Sequence, residues 1–156
     1  MSIEKNLQAL GYRLPEPGKP VGNYLPVIVD GPLVYTSGTS CWENGKLKYQ
    51  GQVGGEVTLE EGYEASRITM LNLLSRIKAE IGDLDRIERV LKVSGFVNSA
   101  PGFYRQPEVL NGASDLLVKI LGDNGRHARS AIGTSSLPQN IPVEIEMIVR
   151  VGPAGK

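Results

Sequence analysis

Thr58-Leu59-Glu60-Glu61 places a threonine three residues ahead of a glutamate, directly before a long run with helical apolar spacing. In that arrangement the threonine side chain accepts from the third helical amide and the glutamate accepts from the cap amide, so two unpaired donors are satisfied at once. The helix that begins there runs over 59–81. Tyr63, Met70, Leu71, Leu74, Ile77 and Ile81 form one stripe, Ile68 and Leu73 widen it, and Gly82 stops it. A helix with one apolar stripe must bury it against a sheet or another helix. The downstream chain supplies both. Residues 86–98 read as a long strand, Leu91, Val93 and Val97 alternating with Lys92, Ser94 and Phe96. Residues 106–122 read as a second helix with Pro107 in its first turn and Val109, Leu110, Leu116, Leu117 and Ile120 apolar. Strands over 129–134 and 143–151 follow. In the last, Val143, Ile145, Met147, Val149 and Val151 point one way, and Glu144, Glu146, Ile148 and Arg150 the other.

Upstream, residues 2–10 form a short helix with Ile3, Leu7 and Leu10 at helical spacing and Ser2 as its N-cap. Pro15, Pro17, Gly18, Pro20 and Gly22 then impose an extended connector. Strands over 25–29 and 33–37, joined at Asp30-Gly31, make a hairpin, and Pro26 and Pro32 assign it to a sheet edge or strand ends. Glu43-Asn44-Gly45-Lys46 is a further turn, and Gly51, Gly54 and Gly55 make an open loop. The order is hairpin, helix, strand, helix, strand, strand. It predicts an α+β fold, a mixed β-sheet with two helices packed on one face, formed as a single domain by all 156 residues. Residues 1–20 are its N-terminal helix and connector. The half-polar face of the strands predicts burial against other subunits.

Composition removes several classes of function. Seventeen basic residues balance seventeen acidic ones, without the basic surplus of a protein that grips phosphate backbones. The single cysteine, Cys41, excludes an internal disulfide framework and a cysteine-based zinc site, and beside Trp42 it reads as a small buried apolar residue. The single histidine, His127, would have to serve any Ser-His-Asp triad; it reads instead as a surface loop residue, its charge disfavoured by Arg126 and Arg129. The expectation is no metal, no cofactor and no phosphate-binding loop. With no signal-like start and no membrane-length apolar run, a soluble cytoplasmic protein is expected, without a membrane or nucleic-acid partner.

What remains is the segment His127-Ala128-Arg129-Ser130-Ala131-Ile132-Gly133, followed by Leu137-Pro138 and Val143-Glu144-Ile145-Glu146. It sets an arginine at the start of one strand and acidic residues at the start of the next. A guanidinium suits a carboxylate bidentately, and a nearby glutamate orients or activates water. An internal ion pair of Arg129 with Glu144 or Glu146 is the structural alternative.

With Val21-Gly22-Asn23-Tyr24, Val34-Tyr35-Thr36-Ser37-Gly38, Gly82-Asp83-Leu84-Asp85-Arg86-Ile87 and the 129–148 signature in view, the chain resembles the YjgF/RidA family over about residues 20–151, and within it the longer YjgH-like branch. These are the reactive-intermediate imine deaminases once labelled endoribonuclease L-PSP. The resemblance implies a chorismate-mutase-like fold and a homotrimer whose sheets form a central barrel, with sites in the clefts between subunits. It further implies cofactor-free hydrolysis of small 2-enamine/2-imino acids to 2-keto acids and ammonia. The family's substrate-carboxylate arginine falls on Arg129 and its water-placing glutamate on Glu144, with Glu146 as competitor. Its pocket-wall tyrosine matches Tyr24, its Ser-Gly serine Ser37, and its helix asparagine Asn111. Thr39, Ala131 and Ser136 stand where the family often has Gln, Cys and Arg. The first two departures motivate an alternative, a non-catalytic trimer that binds small carboxylates. An endoribonuclease or translation inhibitor is suggested only by the old label.

Overall fold

A computed structural model of the chain describes residues 2–154. Helix α1 (Ile3–Ala9) buries Ile3 and Leu7. Ser2 stands at its N-cap but makes no side-chain cap bond; Asp85 accepts from the Ile3 amide instead, at 2.7 Å. Strands β1 (Val27–Asp30) and β2 (Leu33–Thr36) pair antiparallel around Gly31, whose φ of 58° the turn requires. A small hairpin follows, β3 (Trp42–Glu43) with β4 (Lys46–Leu47). Asn44 and Gly45, both at positive φ, make the tight turn read from the sequence.

Helix α2 (Leu59–Ile81) opens with the capping box complete: the Glu61 amide donates to Thr58 Oγ1 at 3.1 Å and the Thr58 amide to the Glu61 carboxylate at 2.8 Å. Its burial is wider than one stripe. From residue 68 to 75 every residue is buried, because the sheet, the second long helix and the N-terminal connector cover it from three directions. Ser75 Oγ donates to the Pro15 carbonyl at 2.5 Å, tying that connector down.

Strand β5 (Ile87–Asn98), helix α3 (Gln106–Leu121) and strand β6 (Ala128–Thr134) form a parallel crossover unit, and β7 (Val143–Val151) inserts antiparallel beside β5. The sheet order is β1-β2-β7-β5-β6, leaving β1 and β6 as edges of the chain's own sheet. All five expected residues of β7 are buried. In β5 the alternation holds at Val93 and Val97 but fails at Leu91. The register skips between Val90 and Lys92, so one extra residue reverses the side-chain parity. Val90 takes the core position, leaving Leu91 half-buried.

Both long helices lie on one face of this mixed sheet, as an α+β chorismate-mutase-like fold requires, and the core fills the layer between them. Cys41 is buried in it. The opposite face is uncovered by this chain: Ile28, Tyr35 and Ile132 are exposed there, beside half-buried Phe96 and Ile148.

Candidate functional site

Arg129 lies on edge strand β6 opposite Val93, and cross-strand neighbours share a face. Its side chain therefore runs toward α3. There Asn111 Oδ1 accepts from Nη1 at 2.9 Å, Ser114 Oγ accepts from the same nitrogen at 3.1 Å, and the Pro107 carbonyl accepts from Nη2 at 3.3 Å. All three acceptors are neutral. The ion pair with Glu144 or Glu146 does not form, and among the described residues no carboxylate lies within ion-pair distance of Arg129. Nε–H and one Nη2 hydrogen are without partners among the described residues. These nitrogens share one edge of the guanidinium, the geometry that receives a carboxylate bidentately.

His127 is not the surface residue expected from its loop. It is half-buried, with Nδ1 2.6 Å from the Gly125 carbonyl and Nε2 3.0 Å from Ser114 Oγ. The carbonyl needs a donor, so Nδ1 carries the proton and Nε2 accepts from the serine hydroxyl. Ser114 thus receives from Arg129 and donates to His127, a chain with one consistent direction. Burial pushes the imidazole pKa below its ordinary 6.5, the Arg129 charge adds to that, and the Gly125 carbonyl opposes it. Protonation reverses Nε2 into a donor and sets it against the serine.

The sign of the resulting pH effect follows directly. The unfolded chain takes up this proton first as pH falls, so the stability associated with neutral His127 is full above about pH 6.5 and declines toward the lower folded-state pKa. Urea unfolding from pH 7.5 downward is expected to show a falling midpoint in this window, and His127→Gln is expected to flatten it. An equal fall in both proteins assigns the effect elsewhere.

Glu144 lies on β7 opposite Phe96, on the other face from Arg129. The strand order puts the two residues two strands apart, roughly 10 Å laterally. A single chain does not bring them together. Beside Glu144 the chain leaving β2 crosses over, and Thr39 exchanges both backbone hydrogen bonds with Ile145 at 3.1 Å. Gly38 is in direct contact with the carboxylate, and a Cβ at 38 would occupy its volume. Burial, with a smaller push from Glu146, raises the Glu144 carboxyl above its ordinary pKa. Glu146 itself is exposed.

The Glu144 carboxyl opens onto a cavity of about 690 Å³ together with Tyr24, Thr39, Trp42, Asn72 and Arg76. That volume is typical of a small-molecule site. Tyr24 is a wall residue of the cavity. Ser37 is engaged elsewhere: its Oγ donates to the Leu25 carbonyl at 2.6 Å, and its amide to the Pro26 carbonyl. Through these bonds it anchors the segment that carries Tyr24. Ala131, half-buried, packs against the core. Sequence reading missed Arg76, Asn72 and Trp42 in the cavity and Ser114 behind Arg129. The available signals were helical spacings: Asn72 to Arg76 is a polar i,i+4 pair inside an apolar helix, and Ser114 is one turn from Asn111.

No group of three or more metal-ligating side chains occurs among the described residues, and no helix of theirs is long and apolar enough to cross a membrane.

Residues 4–149 match the family described as "YjgF/chorismate_mutase-like, putative endoribonuclease". The chain is 39% identical over 150 residues to Protein TCP17 of Trypanosoma cruzi, an alignment spanning 96% of this chain and 94% of that one. It is 43% identical to Atu1372 of Agrobacterium tumefaciens, with a TM-score of 0.88 and 96% and 91% of the two chains covered. A Shewanella oneidensis MR-1 protein with the same endoribonuclease description is 36% identical, at a TM-score of 0.94 covering 97% of this chain and all of the other. With a two-helix-on-sheet fold shared over nearly its whole length, this chain belongs to the YjgF/chorismate-mutase-like family.

Proposed function

We propose that this protein is a cofactor-free hydrolase of small 2-enamine/2-imino acids, working in clefts between the subunits of a homotrimer. The observation that carries the reading is the Arg129 guanidinium: positioned by three neutral acceptors, paired with no carboxylate, and presenting one two-donor edge. A fixed, unneutralised cation at a strand edge is a receptor for an anionic metabolite. Glu144 supplies the complementary half from a neighbouring protomer, since it lies on the face of its own sheet opposite Arg129, and Tyr24 comes with it as a wall of the same cavity. The uncovered sheet face, with Ile28, Tyr35 and Ile132 exposed, supports such an assembly.

The chemistry needs little beyond these groups. The carboxylate of the imino acid docks on the free edge of Arg129, which fixes the C=N carbon in the cleft. Glu144, its basicity increased by burial, takes a proton from water as the oxygen adds to that carbon. The proton passes to the nitrogen of the carbinolamine. Collapse of the C–N bond, with loss of the hydroxyl proton, releases ammonia and the 2-keto acid. Tyr24 closes the cavity wall.

The test is ammonia or keto-acid release from an imine generated in situ by an amino-acid oxidase, with and without this protein. A rate clearly above the spontaneous hydrolysis is expected, and equal rates overturn the reading. Thr39 and Ala131 favour the second reading, a carboxylate-binding trimer without turnover, which saturable binding of a 2-keto acid in the absence of rate enhancement would establish. The endoribonuclease description of the relatives gains no support from the balanced charge of this chain.

A further inference from the structure

Two arginines on α2 are treated very differently. Arg67 forms an ion pair with Glu64 and lies over the Tyr12 ring, 4.2 Å from its centroid. Arg76 is half-buried, yet its only hydrogen bond among the described residues is a long one, from Nη1 to the Gly38 carbonyl at 3.4 Å. No carboxylate stands within ion-pair distance of it among those residues. A guanidinium has five N–H donors, and removing it from water without acceptors is costly. Burial accordingly lowers its proton affinity, opposed by Tyr24.

A second group in the same cavity is short of a partner. Thr39 lines it at 6% exposure, and the Thr39 hydroxyl has no hydrogen-bond partner among the described residues. Both groups flank the site of Glu144. Gly38 is the shared neighbour, its carbonyl met by Arg76 and its Cα side by the Glu144 carboxylate. The remaining wall sets apolar Trp42, Tyr24, Val21 and Ile141 beside one further residue of each charge, Lys19 and Glu16. The cavity thus combines a planar cation, an unpaired hydroxyl and an apolar flank beside the proposed reacting carbon.

We propose that Arg76, beside the unpartnered Thr39 side chain, forms a second anion subsite, so that the substrates of this site are dicarboxylic 2-imino acids. This rests on the deaminase reading above for the reaction, though not for the binding. Arg129 of one protomer takes the carboxylate next to the imine carbon. Arg76 of the protomer that supplies Glu144 takes the carboxylate at the far end of the side chain.

The experiment is isothermal titration with two product-like 2-keto acids, 2-oxoglutarate and 2-oxobutyrate, on the wild type, Arg76→Gln and Arg76→Lys. Each folded variant is checked by circular dichroism. The wild type is expected to bind the dicarboxylate roughly ten-fold or more tightly than the monocarboxylate, as one charge-assisted contact supplies. Arg76→Gln is expected to bring the ratio to about one, and Arg76→Lys to keep part of the preference because it keeps the charge but loses the fork. No preference in the wild type, or a preference that survives Arg76→Gln, overturns the subsite. Its fate is separable from that of the reaction. An Arg76-dependent preference without imine turnover retains the subsite and removes the deaminase; turnover without a preference does the reverse.

Discussion

Arg129→Ala is expected to lower kcat/KM for 2-imino acids by roughly a hundred-fold, the equivalent of about 3 kcal/mol lost with a bidentate charge-assisted contact. The argument rests on the guanidinium surroundings. Asn111, Ser114 and the Pro107 carbonyl use three of its hydrogens and leave one each on the adjacent nitrogens Nε and Nη2, and the proposed partner for these is the substrate carboxylate. Because the supporting acceptors are neutral, truncation leaves no orphaned carboxylate, and the fold is expected to persist. Arg129→Lys retains the charge without the fork and should recover only part of the rate.

A stronger form of the experiment mixes two single variants. Arg129 and Glu144 lie on opposite faces of their own sheet, so the proposed site draws them from different chains. Unfolding and refolding Arg129→Ala together with Glu144→Gln in equal amounts should restore wild-type constellations at roughly a quarter of the sites of the proposed trimer, randomly mixed. Steady-state imine hydrolysis is the readout. A mixture no more active than its components would show that the two residues do not share a site.

The second large effect concerns the fold. Gly112 on α3 packs directly on the α2 backbone: a Cβ there would overlap the Tyr63 carbonyl oxygen and stand 2.8 Å from its carbon and 3.2 Å from the Arg67 nitrogen. Main-chain atoms inside a helix cannot rotate away, so relief requires the two helices to separate. Separation would loosen Val109, Leu116 and Leu117 of α3 and the Tyr63–Asp115 hydrogen bond of 2.8 Å. Gly112→Ala is therefore expected to cost about 3 kcal/mol, or roughly 6–12 °C in Tm by thermal unfolding. This happens although alanine is the better helix former. An unchanged Tm would mean that the crossing is looser than the backbone contact implies.

The sequence alone determined the long elements and, Leu91 apart, which of their expected apolar residues face the core. Capping chemistry and the 3.6-residue and two-residue periods are local properties, so α2, β7 and the Asn44-Gly45 turn were legible within windows of a few residues. Even the chemistry of Arg129 and Glu144 could be suspected from residue type and position in strands. Tertiary structure decided what those windows do not contain. The skipped register opposite Val90 exchanged Leu91 for Val90 in the core, because parity depends on the partner strand. His127 became a half-buried acceptor because α3 brings Ser114 to it across thirteen residues of chain. Arg76 was left without a counter-charge because the segment around Gly38, far away in sequence, supplies a carbonyl there and no carboxylate. Whether a charge is paired is a property of folded neighbours, and periodicity within a single segment carries no information about which neighbours those are.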